Sequence, residues 1–129
     1  MQNNKKKLED LAEKYISESR YMDAKVIYSQ LIDINSDNYI YYARVAYIEL
    51  ILKNIEESKS YFLKSISLCS SYIDGYNCLG YIFKLQGDYV NARSYYKQAL
   101  SINKNYTPAL TNLAVLLMNQ EPKKAIELL

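Results

Sequence analysis

The chain has 129 residues, of which 16 are basic and 14 acidic, so its formal net charge is +2. Because the two signs are mixed along the sequence, no stretch carries the strong positive field typical of proteins that bind nucleic acid or anionic membranes. Half of the residues are hydrophobic, yet no apolar run approaches the roughly 18 residues that span a bilayer. We therefore expect neither nucleic acid nor membrane among the partners.

The composition also argues against catalysis. Histidine is absent, so no Ser–His or Cys–His pair can form, and no phosphate-binding glycine motif occurs. The two cysteines, Cys69 and Cys78, lack metal-ligand spacing and are expected to be reduced thiols. The basic start of the chain leads into acidic residues without the apolar segment of a signal peptide. These features favour a cytoplasmic protein that is not an enzyme and holds no cofactor or metal.

The first predicted element is a pair of helices over about residues 5–38. The first helix has apolar residues at helical spacing, namely Leu8, Leu11, Ala12 and Tyr15. Ser19 and Arg20 lie in a turn without glycine. In the second helix, the side chains expected to face inward are those of Tyr21, Ala24, Tyr28, Leu31, Ile32 and Ile34. A polar cluster at residues 35–38 is expected to end this helix.

The second pair covers about residues 39–72 and departs from the first at one position. Glu49 stands where the other pairs have Tyr15, Phe83 and Leu117. We expect this helix to be rotated slightly, so that Glu49 is at least partly exposed. The alternative is a buried acid that has a partner or a function.

The third pair, about residues 73–106, has small residues where its helices meet. Gly80 and Ala92 allow close approach of the two backbones, and larger side chains fill the space around them, namely Phe83, Tyr89 and Tyr96. The inward stripe of the second helix is expected to continue with Ala99, Leu100 and Ile102. Gly87 is suited to end the first helix, and Asp88 to cap the second.

The fourth unit, residues 107–129, is incomplete. Pro108 suits the first helical turn, with Thr107 before it as a cap. A turn is expected at residues 119–122, after which Ala125 and Leu129 begin a second helix. The chain stops there with apolar residues open, so we expect a fragment of a longer array or a partner that covers the end. One such partner is a second copy, giving a homo-oligomer through the uncapped C-terminal repeat.

The four units repeat one pattern at a fixed step along the chain. Small residues recur at equal intervals in the first helices, at Ala12, Ala46, Gly80 and Ala114. In the second helices a small residue is followed four positions later by a ring, in the pairs Ala24 and Tyr28, Ser58 and Phe62, and Ala92 and Tyr96. A fixed period of about 34 residues over the whole chain predicts stacked helical repeats.

The third unit resembles the tetratricopeptide pattern W-x2-L-G-x2-Y, A-x3-F and a closing P. It carries that pattern as Tyr76, Leu79, Gly80, Phe83, Ala92 and Tyr96, with Lys104 in place of the proline. The chain thus resembles tetratricopeptide-repeat proteins over essentially its full length. The resemblance implies one all-α domain over residues 1–129, a right-handed superhelix of antiparallel helix hairpins with three full repeats and a truncated fourth.

The resemblance also implies a concave groove lined by the first helices, on the side away from the second helices. The expected groove residues are Glu9, Asp10, Glu13, Arg44, Tyr47, Asn77, Cys78, Tyr81, Thr111, Asn112 and Val115. Such a surface suits a peptide or partner protein, so a non-catalytic interaction scaffold is the favoured function. The alternatives are the targeting arm of a larger enzyme such as a transferase, and a small bacterial export or assembly chaperone.

Some members of this family bind the C-terminal carboxylates of chaperones with a clamp of lysines, an arginine and asparagines. The corresponding positions here hold Glu9, Glu13, Arg44, Asp74 and Cys78 in one alignment frame. The basic set is missing, which disfavours that ligand. We expect charge reversal at Arg44, or combined loss of Tyr47 and Tyr81, to weaken partner binding without unfolding the chain.

Overall fold

A computed structural model describes residues 2–120, which form seven α-helices and no strand within that range. The helices are α1 (Gln2–Ser17), α2 (Tyr21–Ile34), α3 (Tyr39–Ile51), α4 (Ile55–Leu68), α5 (Ile73–Leu85), α6 (Tyr89–Ile102) and α7 (Thr107–Gln120). Three hairpins pair α1 with α2, α3 with α4 and α5 with α6, and α7 packs on α6. The all-α class is confirmed.

The end of α7 differs from the expectation. The helix includes Asn119 and Gln120, so the prediction that a turn starts at residue 119 was wrong. The predicted second helix of the fourth unit, with Ala125 and Leu129, lies outside the described residues, as does the expected open apolar end.

The chain divides into two compact units, Met1–Cys69 and Ser70–Leu129. In the first unit, buried residues of three consecutive helices form a common core, namely Ala12, Ala24, Tyr28, Leu31, Tyr41, Val45 and Ile48. In the second unit, α6 and α7 contribute Ala92, Tyr96, Leu113, Leu116 and Leu117 to a core. Apart from Tyr41 and Leu116, these core residues lie on the predicted apolar faces.

The two helices of a hairpin approach closely where the sequence places small residues. A Cβ atom added to Gly80 would lie 2.5 Å from the ring of Tyr96, which is fully buried. In the hairpin of α3 and α4, the hydroxyl of Ser58 donates to the backbone carbonyl of Ala46 at 2.7 Å. The small residues are thus required by contact with the opposite helix.

The turns between the helices of each hairpin share one backbone conformation. Ser19, Lys53 and Gly87 occupy the same position in successive repeats and have φ values of 59°, 67° and 77°. Only glycine adopts this left-handed conformation without steric cost. The first two turns therefore carry strain that the third avoids.

Capping side chains begin two of the helices. Asp88 accepts a hydrogen bond from the Asn91 backbone N–H at 3.1 Å, which confirms the predicted cap of α6. Asn38 caps α3 in a similar way. The prediction for Thr107 was wrong, because α7 already includes it, whereas Pro108 does lie in the first turn.

Three residues expected to face inward are exposed. Ile34 is 60% exposed, Ile102 40% and Tyr89 44%. Both isoleucines follow the buried alanine of their helix, Ala24 or Ala92, by ten residues, which places them about 80° away from it around the helix axis. Tyr89 is the first residue of α6, three positions before Ala92. All three lie at the edges of the buried face.

Glu49 is buried, so its predicted exposure was wrong. Its side chain is only 5% exposed, and the Lys25 ammonium donates to Oε1 at 3.1 Å. The Asn54 amide nitrogen lies 3.5 Å from the same oxygen. Because a buried carboxylate is tolerated when it is paired, the cation from α2 explains why Glu49 can occupy a position that holds apolar residues elsewhere.

We expect Lys53→Gly to raise the free energy of unfolding by about 1 kcal/mol, because glycine removes the cost of the left-handed turn. The matched change Gly87→Ala should lower it by a similar amount. A Cβ atom at Gly87 meets nothing within 4 Å, so only the backbone is tested there. Urea denaturation measures both, and equal effects of the same sign would contradict this account.

Gly80→Ala should destabilise the chain by about 1–3 kcal/mol, since the buried Tyr96 ring leaves no room for a methyl group. A smaller side chain at residue 96 should relieve the clash. The loss in Gly80→Ala/Tyr96→Leu should therefore be less than the sum of the two single losses. Strict additivity in a urea double-mutant cycle would show that the contact is not limiting.

Candidate functional site

Four of the predicted groove residues meet in one cleft of the first unit. The cleft has a volume of about 270 Å³. We call it the α1–α3 cleft and define it by its lining residues Lys6, Glu9, Asp10, Glu13, Tyr28, Ile40, Tyr41 and Arg44. Glu9 and Asp10 are neighbours on α1, Glu13 lies one turn after Glu9, and Arg44 reaches the cleft from α3. That these four residues form a partner-binding surface stays a prediction.

Glu13 is the centre of a hydrogen-bonded cluster in this cleft. Arg44 Nε donates to Glu13 Oε1 at 3.0 Å, and the Tyr28 hydroxyl donates to the same oxygen. Three helices thus contribute one side chain each. The cluster positions Glu13 and Arg44 and joins α1, α2 and α3.

The cluster changes the ionisation of its members. Partial burial opposes ionisation of Glu13, but the hydrogen bonds from Tyr28 and Arg44 and the charge of Arg44 outweigh it, so the Glu13 pKa lies below its ordinary 4.5. Burial and the bond to Glu13 raise the pKa of Tyr28. Glu13 is therefore ionised and Tyr28 neutral at physiological pH.

The remaining acids of the cleft differ in their partners. Asp10 forms an exposed ion pair with Lys6 at 3.5 Å. Among residues 2–120, no ion pair involves Glu9. Beside it, Tyr41 is 1% exposed, and its hydroxyl lacks a hydrogen-bond partner in the described part of the chain. Burial raises the pKa of Tyr41, and the charge of Glu9 raises it further.

The second unit brings other predicted residues together. The Asn112 amide on α7 donates to Asn77 on α5 at 3.0 Å. The hydroxyl of Tyr106, just before α7, donates to Asp74 on α5. Burial and the bond to Asp74 raise the Tyr106 pKa. These two bonds connect α5 with the α7 end of the unit along the predicted groove face.

The remaining predicted groove residues differ in exposure. Tyr81 is 38% exposed, with the Lys84 ammonium 5.1 Å from its ring centroid. Thr111 is exposed on α7. Tyr47 is half-buried, and its ring packs edge-on against Phe62 at a centroid distance of 5.2 Å. Cys78 is a half-buried thiol. Val115 on α7 is 44% exposed, so Tyr81, Thr111 and Val115 present the most accessible side chains of this group.

Four lining residues of the cleft were not selected from the sequence, namely Lys6, Tyr28, Ile40 and Tyr41, and the two tyrosines matter most. Tyr28 was expected to be core, and its ring is, but its hydroxyl reaches Glu13. The equivalent residue of the next repeat is Phe62, which shows that packing at this position needs no hydroxyl group. The hydroxyl of Tyr28 therefore indicated a polar contact. Tyr41 matches Gly75 and Ala109, both buried, so its interior position was visible when the repeats are aligned.

Residues 2–120 contain neither a metal-binding cluster nor a membrane-spanning helix. No group of three or more cysteine, aspartate, glutamate or histidine side chains is arranged to hold a metal ion. Within the same range, every helix is too short or too polar to cross a membrane.

Family comparisons agree with the helix pattern. Two family models, each described as Tetratricopeptide repeat, match residues 39–72 and 73–106, together more than half of the chain. The chain belongs to the tetratricopeptide-repeat family. A search of curated proteins found no match in sequence.

Solved structures of tetratricopeptide proteins share the fold at low sequence identity. The MamA crystal structure has a TM-score of 0.88 and 17% identity, covering 98% of this chain and 74% of its own. The first TPR of Spaghetti (RPAP3), bound to HSP90 peptide SRMEEVD, has a TM-score of 0.83 and 20% identity. The match covers 89% of this chain and 91% of the RPAP3 domain. The Yersinia enterocolitica type III secretion translocator chaperone SycD has a TM-score of 0.86 and 12% identity. The match covers 92% of this chain and 96% of SycD. At these identities the likeness establishes fold alone.

The lowered pKa of Glu13 predicts an acid-sensitive contribution to stability. Ionised Glu13 stabilises the fold above its unfolded-state pKa, near 4.5, and this contribution is lost as the pH falls through the lower folded-state pKa. Glu13→Gln should therefore reduce the free energy of unfolding at pH 7, with the difference from wild type shrinking as the pH falls below about 4.5 and through the lower folded-state pKa.

Urea denaturation at several pH values measures this difference. Asp33→Asn, which changes an exposed carboxylate of α2, serves as the control and should show no comparable trend. A Glu13→Gln effect that stays constant across the range would mean that ionisation of Glu13 does not stabilise the cluster.

Proposed function

We propose that this protein is an interaction scaffold that binds an extended peptide segment of a partner on the exposed faces of its first helices. In the first unit these are α1 and α3, and in the second α5 and α7. The proposal includes no catalytic step. With both cysteines as thiols, we place the protein in the reducing cytoplasm.

The observation that carries the proposal is the α1–α3 cleft. Four residues chosen from the sequence as groove residues line it together, and the cluster of Tyr28, Glu13 and Arg44 holds part of its wall in a defined geometry. Pre-positioned polar groups in a cleft favour binding, because less side-chain entropy is lost when the ligand arrives.

The face of α5 and α7 has a different chemistry that also suits a peptide. Tyr81 offers a partly exposed aromatic ring, which binds with little loss of conformational entropy. Asn77 and Asn112 retain hydrogen-bonding groups beyond the bond between them, and amide side chains can pair with peptide backbone. Thr111 adds an exposed hydroxyl on α7.

The ligand differs in charge from that of one structural neighbour. The RPAP3 domain binds HSP90 peptide SRMEEVD, whose C-terminal part is acidic. In this chain α1 presents Glu9, Asp10 and Glu13, which repel an acidic segment. We therefore propose a partner segment without a cluster of acidic residues. An arm of a larger enzyme and an export chaperone are the alternatives, and each also works through a bound polypeptide.

The structure changes the choice of test residues. Arg44 is paired with Glu13, and Tyr47 packs on Phe62, so changing either would alter stability as well as the surface. Tyr81 is the better probe. Its matched control is Tyr89, a tyrosine of similar exposure on α6, a second helix that the proposal excludes from binding.

We expect an array of random ten-residue peptides to yield ligands whose affinity falls about tenfold or more in Tyr81→Ala, because an interface aromatic is lost. Fluorescence polarisation with the selected peptides measures the dissociation constants. Tyr89→Ala should bind as wild type does, and thermal melting should show both variants folded. Selected ligands that lose affinity in Tyr89→Ala but not in Tyr81→Ala would overturn the assignment of the binding face.

A further inference from the structure

The α1–α3 cleft has an uncompensated negative charge. Its lining includes three carboxylates, Glu9, Asp10 and Glu13, and two cations, Lys6 and Arg44. Arg44 is bound to Glu13 at 3.0 Å and Lys6 to Asp10 at 3.5 Å. Both cations are therefore occupied, while within residues 2–120 the half-buried Glu9 has no ion-pair partner. This balance disfavours an anionic ligand and favours a cationic one.

A second observation at the same place points to a missing group. The hydroxyl of Tyr41 is buried and has no hydrogen-bond partner among the described residues, although Tyr41 lines the cleft. Burial without a partner costs a hydroxyl about 1–3 kcal/mol. Native structures rarely leave such a group unsatisfied without reason. A ligand atom that donates a hydrogen bond would complete the site.

The size of the cleft limits what it can hold. Its volume of about 270 Å³ lies just below the roughly 300–1,000 Å³ of sites that enclose a whole small molecule. One long side chain of a peptide is a better match. An ammonium group has three N–H donors and a guanidinium has five, so either can bond to Glu9 and to the Tyr41 oxygen at once.

We infer that the α1–α3 cleft is a subsite for one basic side chain, lysine or arginine, of the bound peptide, with Glu9 as its ion-pair partner and the Tyr41 hydroxyl as a hydrogen-bond acceptor. The inference rests on the proposed function and narrows it to a partner segment that contains a basic residue.

The direct test uses short peptides of defined charge. The probe is acetyl-Gly-Ala-Lys-Ala-Gly-amide, titrated into the ¹⁵N-labelled full chain by NMR. Two matched peptides replace the lysine by norleucine, which keeps the alkyl chain but not the charge, or by glutamate. Backbone amides around residues 9 and 41 should shift saturably with the lysine peptide and with an arginine version. They should not shift with the norleucine or glutamate peptide.

Variants separate the two proposed contacts. Glu9→Gln should weaken binding of the lysine peptide about tenfold or more, because a charged hydrogen bond becomes a neutral one. Tyr41→Phe should also weaken it, while the free chain stays as stable as wild type or becomes more stable, since an unsatisfied hydroxyl is removed. Glu57→Gln, an exposed glutamate of α4, is the charge-matched control and should bind as wild type does.

Ionic conditions give a further check. Binding should weaken as sodium chloride rises, because the ion pair is partly exposed and is screened. Calcium chloride at matched ionic strength should have no greater effect. Saturable shifts with calcium that displace the lysine peptide would reassign the cleft to a metal ion and overturn the inference.

Equal shifts with the norleucine peptide, no shifts with the lysine peptide, or unchanged affinity in Glu9→Gln would each overturn the inference. None of these results would touch the proposed function. If the random array still yields ligands that depend on Tyr81, the scaffold stands and the basic subsite fails. If the array yields no ligand for the folded chain, the scaffold itself fails.

Discussion

The close approach of two helices within each hairpin is the constraint on which the rest of the structure depends. It requires a small residue on the first helix and a ring on the second, as Gly80 and Tyr96 demonstrate, with no space for even one methyl group between them. Where the small residue is alanine, its backbone still comes near enough for the Ser58 hydroxyl to bond to the Ala46 carbonyl. The same pair of sizes returns in the three hairpins within residues 2–120, and their turns repeat the same left-handed conformation even where the residue is serine or lysine.

The second helix of each hairpin carries a ring at one repeated position, which is Tyr28, Phe62 or Tyr96. The para substituent of that ring, a hydroxyl or a hydrogen, determines its contacts near the first helix. Tyr28 carries its hydroxyl to Glu13, which is in turn held by Arg44. Phe62 has no polar end, and its ring is nearly perpendicular to that of Tyr47, at an interplanar angle of 86°. The hydroxyl of Tyr96 is buried, and among the described residues it has no partner. One packing position therefore produces a polar cluster, an aromatic contact or an unsatisfied group, depending on a single oxygen atom and its neighbours.

The acids of the first unit show how tertiary contacts assign roles to residues of one type. Glu13 and Glu49 each bind a cation from another helix, Arg44 or Lys25, and so stabilise the packing of helices. Glu9 has no such cation within the described chain, and it lies beside the unsatisfied hydroxyl of Tyr41. A carboxylate whose charge the fold already balances contributes to structure, whereas one left unbalanced in a cleft is available to a ligand. On this basis Glu9 differs from Glu13 and Glu49, although all three are glutamates.

The sequence by itself determined the seven described helices, their pairing into hairpins and the positions of the small residues, because these follow from local periodicity and return in each repeat. Spacing placed Glu9 and Glu13 on one face of α1, and the resemblance to stacked helical repeats added Arg44 of α3 to the same predicted surface. Only the tertiary structure decided which side chains are partners. The bonds of Glu13 to Tyr28 and Arg44, and of Glu49 to Lys25, join residues 15 to 31 positions apart. Such contacts depend on how the helices pack against one another. The periodicity of a single helix does not give the distances between side chains of different helices.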